Sequence, residues 1–323
     1  MKRSRISTIV ALGIATLVAS PVAHAQSDYP NRPIELILPA GPGGTTDIAV
    51  RILADKWRET LGQPVVVVNK PGAGGAIGAD AVAKAAPDGY TLLGAFDSIT
   101  VALPIVGKVN YSFDSFSYLN GFGVGAIYFA VRSDSPWKTM KDFIEAAKKS
   151  EKPMTYASYG YGVITHFTAE RLWQLGDVKL QYVTYRSSPE SATAVLGGHV
   201  DMAVTAGTGG VANNPNIRII GVAGAKRRPD LPDVPTLLEQ GYDVSLEYIS
   251  GVLAPAGLPD NVREKLLKAI QHTNEKYGDQ LKQDLLKADL LYTNIPGPEM
   301  KAIWQEREKW FRAVAPRLDL SRK

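Results

Sequence analysis

The sequence predicts an α/β protein of two units, joined by two crossing strands with a cleft beneath them. Three observations carry this expectation. Strand and helix patterns alternate in two separate runs. Glycine-interrupted strands at 121–131 and 246–254 bound the second run, and two crossings between units make a hinge over a cleft. Several strand-to-helix junctions carry glycines or hydroxyl residues, at the strand ends where open α/β sheets form crevices.

The elements follow in order. "IELIL" (34–38) is a short apolar strand. "DIAVRILADKWRETLG" places Ile48, Ile52, Leu53, Trp57 and Leu61 at helical spacing, and Gly62 stops the helix. "VVVV" (65–68) is a strand by its β-branched run. "AIGADAVAKAA" reads as a helix closed by Pro87-Asp88-Gly89, and "YTLLGAF" (90–96) as a strand, a rhythm that predicts a mostly parallel sheet. The second run opens with "AIYFAVR" (126–132). Thr139 and Asp142 form a capping box for a helix over 140–149. Strand "MTYAS", helix "HFTAERLWQL" and strand "LQYVTY" (180–185) follow. Ser187-Ser188-Pro189-Glu190 then opens a helix that ends at Gly197-Gly198. "VDMAVTA" and "IRIIGVA" are strands. After "YISGVLAPAGLP" the chain turns helical, in "NVREKLLKAIQHTNEKY" and "EMKAIWQEREKWFRAVA".

The N-terminus sets the compartment. Lys2, Arg3 and Arg5 precede an apolar run from Ile9 to Ala19, and Ala23-His24-Ala25 is an A-x-A cleavage pattern. This predicts a signal peptide over 1–25 and a mature chain from Gln26, exported to the periplasm as a soluble protein. The apolar run is shorter than the roughly 20 residues of a membrane-spanning helix. With no cysteine in the chain, neither a lipid anchor nor a disulfide supports it. Of the formal net charge of +4, the three basic leader residues account for three, so the mature chain carries +1. That balance gives no footprint for nucleic acid or for membrane headgroups. Nothing in the sequence demands an oligomer, and a monomer is expected.

The stretch "ELILPAGPGGTTD" (35–47) is the strongest chemical signal. Gly41, Pro42, Gly43 and Gly44 lie between a strand and a helix. Glycine lets backbone approach a ligand, the first N–H groups of a helix are unpaired, and the macrodipole favours an anion there. Thr45 and Thr46 add hydroxyls, and one of them is expected to cap the helix. Asp47 in the first turn suits helix stabilisation better than anion contact. Nucleotide motifs fail: Gly44 is followed by Thr45 where a phosphate loop needs lysine, and Ile77 breaks G-x-G-x-x-G in "PGAGGAIG" (71–78). That second loop reads as a structural turn, and no cofactor is expected.

Two further junctions, "SYGYGVITH" with Ser158, Gly160, Gly162, Thr165 and His166, and "YRSSPE" with Arg186, could face the first across the cleft. A guanidinium suits a bidentate carboxylate. The three mature histidines, His166, His199 and His272, have no metal-binding spacing. His166 reads as a first-turn helix residue, either near a ligand or solvated. A hydrolase triad of Ser158, His166 and Asp201 is a remote alternative, because "YASYG" lacks the first glycine of G-x-S-x-G.

These stretches, with "LGQPVVVVNKPGAGGAIGADAVAKAAPDGYTLL", "LGGHVDMAV", "AKRRPDLPDVPTLLEQG" and "SGVLAPAGLP" in the same order, resemble the Bug family. Its members are periplasmic solute-binding proteins of tripartite tricarboxylate transporters. The resemblance spans nearly the whole mature chain. It implies a two-domain, type II-like periplasmic-binding-protein fold: domain 1 from 26–125 and 250–323, domain 2 from 126–249. It implies a small organic carboxylate held by main-chain groups at Gly41, Pro42, Gly43, Gly44, Thr45 and Thr46, with Asp97 and Ser98 lining the same cleft. Ser158, Gly160, Thr165 and His166 would close from the second domain, with Tyr185, Arg186, Thr205 and Ala206 nearby. The implied partners are the membrane subunits of the transporter. A sensor-kinase ectodomain is the alternative partner, and a Ser158-dependent hydrolase the remote alternative function. Four positions depart from the family pattern. Ala40 replaces a frequent aromatic residue, Arg186 a lysine and Tyr248 a tryptophan, and "FDSIT" (96–100) replaces a small-residue loop. "AGPGG" and Arg186 favour a di- or tricarboxylate.

Overall fold

The computed structural model describes residues 29–107, 109–207, 211–212 and 214–318. The expected signal peptide and its cleavage site lie outside the described residues.

Two mixed sheets form the frame. The first takes strands β1 (Ile34–Leu38), β2 (Val65–Asn69), β3 (Thr91–Phe96), β4 (Phe116–Gly125), β10 (Tyr248–Pro255) and β11 (Leu291–Pro296), in the order β11-β4-β10-β3-β1-β2. The second takes β5 (Ile127–Arg132), β6 (Thr155–Tyr159), β7 (Gln181–Tyr185), β8 (Met202–Ala206) and β9 (Ile217–Ala223), in the order β7-β6-β8-β5-β9. The chain passes from the first sheet to the second at Ala126 and returns through 224–247. The mostly parallel sheet expected from the rhythm is corrected. β1 pairs in parallel with β2 and β3, and β6 with β7 and β8. Every antiparallel pair involves β4, β5, β10 or β11. β5 and β10, by which the chain enters the second sheet and re-enters the first, run against the strands of the strand–helix–strand units, as does β11 at the edge of the first sheet.

Local chemistry explains most element ends. Helix α1 (Thr45–Leu61) buries Ala49, Val50, Leu53, Ala54, Trp57 and Leu61 along one face, while Ile48 stays exposed. Gly62 takes φ 66° and its N–H donates to Arg58 O, a left-handed stop that glycine adopts without strain. Helix α4 (Met140–Lys149) has its capping box: the Asp142 N–H donates to Thr139 Oγ1, and the Asp142 carboxylate accepts from the Thr139 N–H. Helix α6 (Ser188–Leu196) is capped by Ser187, with Pro189 in its first turn.

One strand is only partly read from the sequence pattern and one escapes it. β4 contains three glycines, which weaken any strand signal, and β10 and β11 flank it. β11 follows helix α7 (Asp260–Lys287) with no glycine between, because Asp289 itself takes φ 65°. The C-terminal helix α8 (Gly297–Val314) buries Trp304 beside Tyr118 of β4 and sets Phe311 4.9 Å from Phe167 of α5 (Ile164–Gly176). One helix thus packs on elements of both sheets. Each large apolar side chain buried there contributes roughly 1.5–3 kcal/mol.

Candidate functional site

The first junction is a helix N-terminus left open. Gly44 is the N-cap of α1, in extended conformation and with no side-chain cap. The expectation that Thr45 or Thr46 caps the helix is therefore corrected, since both lie inside its first turn. The cap is built from the other side. Asp47 Oδ2 accepts from the Gly43 N–H at 3.0 Å, and Oδ1 accepts from Arg51 Nη2 at 3.0 Å and Asn69 Nδ2 at 2.9 Å. Burial works against the Asp47 charge, but Arg51, Gly43 and Asn69 outweigh it and hold the carboxyl below its usual range. Asp47 therefore fixes the loop and is saturated by it. Gly43 takes φ +80°, a conformation that side chains oppose. Thr46 Oγ1 lies 3.3 Å from Ser250 Oγ on β10.

A second helix N-terminus faces the first. Ser187 and Ser188, at the start of α6, line one small cavity with Gly41, Gly44, Thr45 and Thr46. Ala206 joins them through Ser188, whose Oγ accepts from the Ala206 N–H at 3.2 Å. The aromatic wall is Phe96, Tyr159 and Tyr248. The cavity measures ≈ 40 Å³, enough for a few waters. A second space of ≈ 390 Å³ adjoins it, sharing Ala40, Tyr159 and Arg186 and reaching Tyr185. Arg186 is exposed at the junction of the two. Its guanidinium makes no hydrogen bond to any described residue, and its N–H donates to Glu190. Two helix N-termini and the Arg186 cation line these spaces, an arrangement that favours an anion, while the Asp47 and Glu190 carboxylates that also line them are each engaged by a backbone N–H.

The remaining expected residues lie elsewhere. Pro42 and Gly43 form the exposed tip of the loop. Asp97 is fully buried and paired with Arg307; burial pushes its carboxyl up and Arg307 pulls it back. Ser98 Oγ and Thr205 Oγ1 are buried without a hydrogen-bond partner. Ser158 Oγ and Thr165 Oγ1 are 2.5 Å apart and both fully buried. His166 is not solvated: it stacks on Tyr182 at 4.0 Å, its Nδ1 accepts from the Gly162 N–H, and burial lowers its pKa to about 3. Asp201 accepts from Thr155. No hydrogen bond among the described residues joins Ser158, His166 and Asp201 into a relay. Gly160 instead meets the first unit, where a Cβ on it would stand 2.8 Å from the Gly74 Cα. Phe96 and Tyr248 fall at positions already singled out as departures from the family pattern that shape the pocket, but the sequence reading passed over Tyr159, because an aromatic residue ending a strand looks the same whether it faces core or cleft.

The family model of the tripartite tricarboxylate transporter family receptor, TctC, matches residues 49–307. This chain belongs to that family. A UPF0065 protein encoded in the gbd 5′ region of Cupriavidus necator is 34% identical over 320 residues, covering 97% of this chain and 94% of the relative. The structure of the periplasmic binding protein BugD aligns with a TM-score of 0.83 at 28% identity, over 90% of this chain and 99% of that one. MatC from Rhodopseudomonas palustris, solved with bound malate, aligns with a TM-score of 0.81 at 25% identity, over 89% of this chain and 100% of that one. The family is one of periplasmic solute-binding proteins with a two-domain fold. Among the described residues no helix is long and apolar enough to cross a membrane.

Proposed function

We propose that this protein captures a small organic carboxylate, with di- or tricarboxylates favoured, in the periplasm and hands it to the membrane subunits of a tripartite tricarboxylate transporter. It binds without chemical turnover. The observation that carries this reading is the pair of helix N-termini, α1 and α6, converging on one cavity from different sheets. Main-chain N–H groups at Gly44, Thr45 and Thr46 take the carboxylate, as the geometry of an uncapped helix end favours. The rest of the ligand extends past Ala40 into the adjoining space, where Arg186 meets a second anionic group. MatC, similar in fold and solved with malate, supports a ligand of this class.

In this reading residues 26–125 with 250–323 form one lobe and 126–249 the other. They hinge at Ala126 and within 224–247. Ser158, Gly160, Thr165 and His166 shape the closing edge of the second lobe, where Gly160 meets Gly74. Asp97 and Ser98 support the floor beneath Phe96.

Thermal unfolding of the chain from Gln26, against mono-, di- and tricarboxylates, amino acids and aromatic acids, tests the proposal. A ligand at about 100 times its dissociation constant adds roughly 2.7 kcal/mol to the folded state, a shift of several degrees for a chain of this size. A response confined to carboxylates is expected. A protein that ignores every acid, even after unfolding and refolding to strip carried-over ligand, overturns it.

A further inference from the structure

We propose that the Tyr248 hydroxyl is a ligand-reading hydrogen-bond donor on the cavity floor, and that it selects acids carrying a neutral oxygen, a hydroxyl or oxo group, near the clamped carboxylate. The inference rests on the carboxylate reading above and deepens it.

Tyr248 opens β10, the strand by which the chain re-enters the first sheet, and it pairs in register with Gly125, the last residue of β4. The side chain is 2% exposed and its ring packs edge-on against Phe96, with centroids 6.1 Å apart. The phenol lies across the backbone at Gly125, where any Cβ would collide with its hydroxyl end. A glycine is therefore needed to let the ring reach the cavity, which it lines beside Thr45. There the hydroxyl is buried beside the Thr45 side chain, with no hydrogen bond of full geometry. Nearly all buried polar groups are paired, and an orphan costs its full desolvation. A ligand oxygen supplies the missing acceptor.

The surroundings define that acceptor. Burial pushes the phenol's pKa far up, and Asp289 and Asp97 push the same way, against Thr45 and Arg228. The hydroxyl thus keeps its proton and donates. Arg228 and Arg307 are already paired with Asp289 and Asp97, so no spare cation meets a second carboxylate at this point, while the exposed Arg186 accommodates one at the rim. A neutral oxygen fits the floor.

The test compares wild type with Tyr248→Phe, which keeps the ring and removes only the orphan. Three pairs of acids differ by one hydroxyl: lactate and propionate, malate and succinate, citrate and tricarballylate. Affinities are measured by calorimetry, and stability without ligand by thermal unfolding. In whichever pair binds, wild type should prefer the hydroxy acid about tenfold or more. Tyr248→Phe should lose that preference while holding the plain acid within about twofold. Without ligand it should unfold no lower than wild type, because a buried unpaired group has been removed. Equal losses for both members of a pair overturn the hydroxyl reading, as does an unchanged preference. A drop of several degrees in the unliganded midpoint shows that the hydroxyl serves the fold, which also overturns it. If wild type binds none of the six acids, this inference is overturned, while the carboxylate reading stands or falls with the wider acid panel.

Discussion

Two glycine-rich junctions, one in each half of the molecule, begin alike in sequence and end differently. The loop Gly41 to Thr46 and the loop Ser158 to His166 each follow a strand and open a helix whose N-cap makes no side-chain hydrogen bond. At the first, the side chains that fix the loop bind from behind. Asp47 holds Gly43, Arg51 and Asn69, and the front of the helix faces the cavity. At the second, the loop's polar groups are spent on each other. Ser158 meets Thr165, the Gly162 N–H donates to His166, and Tyr182 Oη donates to Gly160 O. The two loops differ in whether their polar groups face a cavity or one another.

The largest effect expected at the first junction comes from Gly43→Val. Its Cβ would meet no atom within 4 Å, so the harm is conformational: at φ +80° a β-branched residue is strained. The loop should rearrange, lose the Asp47 contact and turn the helix front away. Carboxylate affinity should fall more than about a hundredfold, while unfolding free energy drops by about 1–2 kcal/mol. Calorimetry and urea unfolding read the two separately, and intact affinity would place the ligand elsewhere.

The second junction should show itself in pH dependence. His166 titrates at about 3 in the folded state, against about 6.5 unfolded. Between those values only the unfolded chain takes up the proton, so stability falls as pH falls. The slope is roughly 1.4 kcal/mol per pH unit. The loss of stability begins as pH falls through about 6.5 and is complete below about 3. His166→Gln should remove this component, seen as the wild-type-minus-variant difference in urea midpoints between pH 7 and pH 5. A difference that does not change with pH would mean that His166 is hydrated in solution.

Ser158→Ala sharpens the contrast further. It strands Thr165, so stability should drop by about 1 kcal/mol, yet carboxylate affinity should stay within about twofold. A tenfold loss of affinity would make the second junction part of the clamp and erase the distinction. The smallest effect belongs to Arg186→Gln. The guanidinium is exposed, so loss of di- and tricarboxylate binding should be only severalfold, and monocarboxylate binding should hardly change. Equal losses for both classes would remove Arg186 from the specificity of the site.

Much of this was legible in the chain. The alternating runs, the Thr139 capping box, the Ser187 cap and the Gly62 stop are local, because each depends on residues within one or two turns. So is the glycine loop before α1, whose composition marks a close approach whatever the approaching group is. The crossing strands were partly visible, because glycine blurs the strand pattern of β4, and the left-handed turn at Asp289 hid the start of β11. What the sequence could not decide is which faces meet. The pairing of α1 with α6 across one cavity, the withdrawal of Asp97 to Arg307 and the placement of the Tyr248 hydroxyl all join residues that local pattern does not link. Whether a loop's polar groups meet a cavity or one another depends on how distant elements pack around it. The sequence therefore determined where donors are made, and the tertiary structure alone decided which of them remain free.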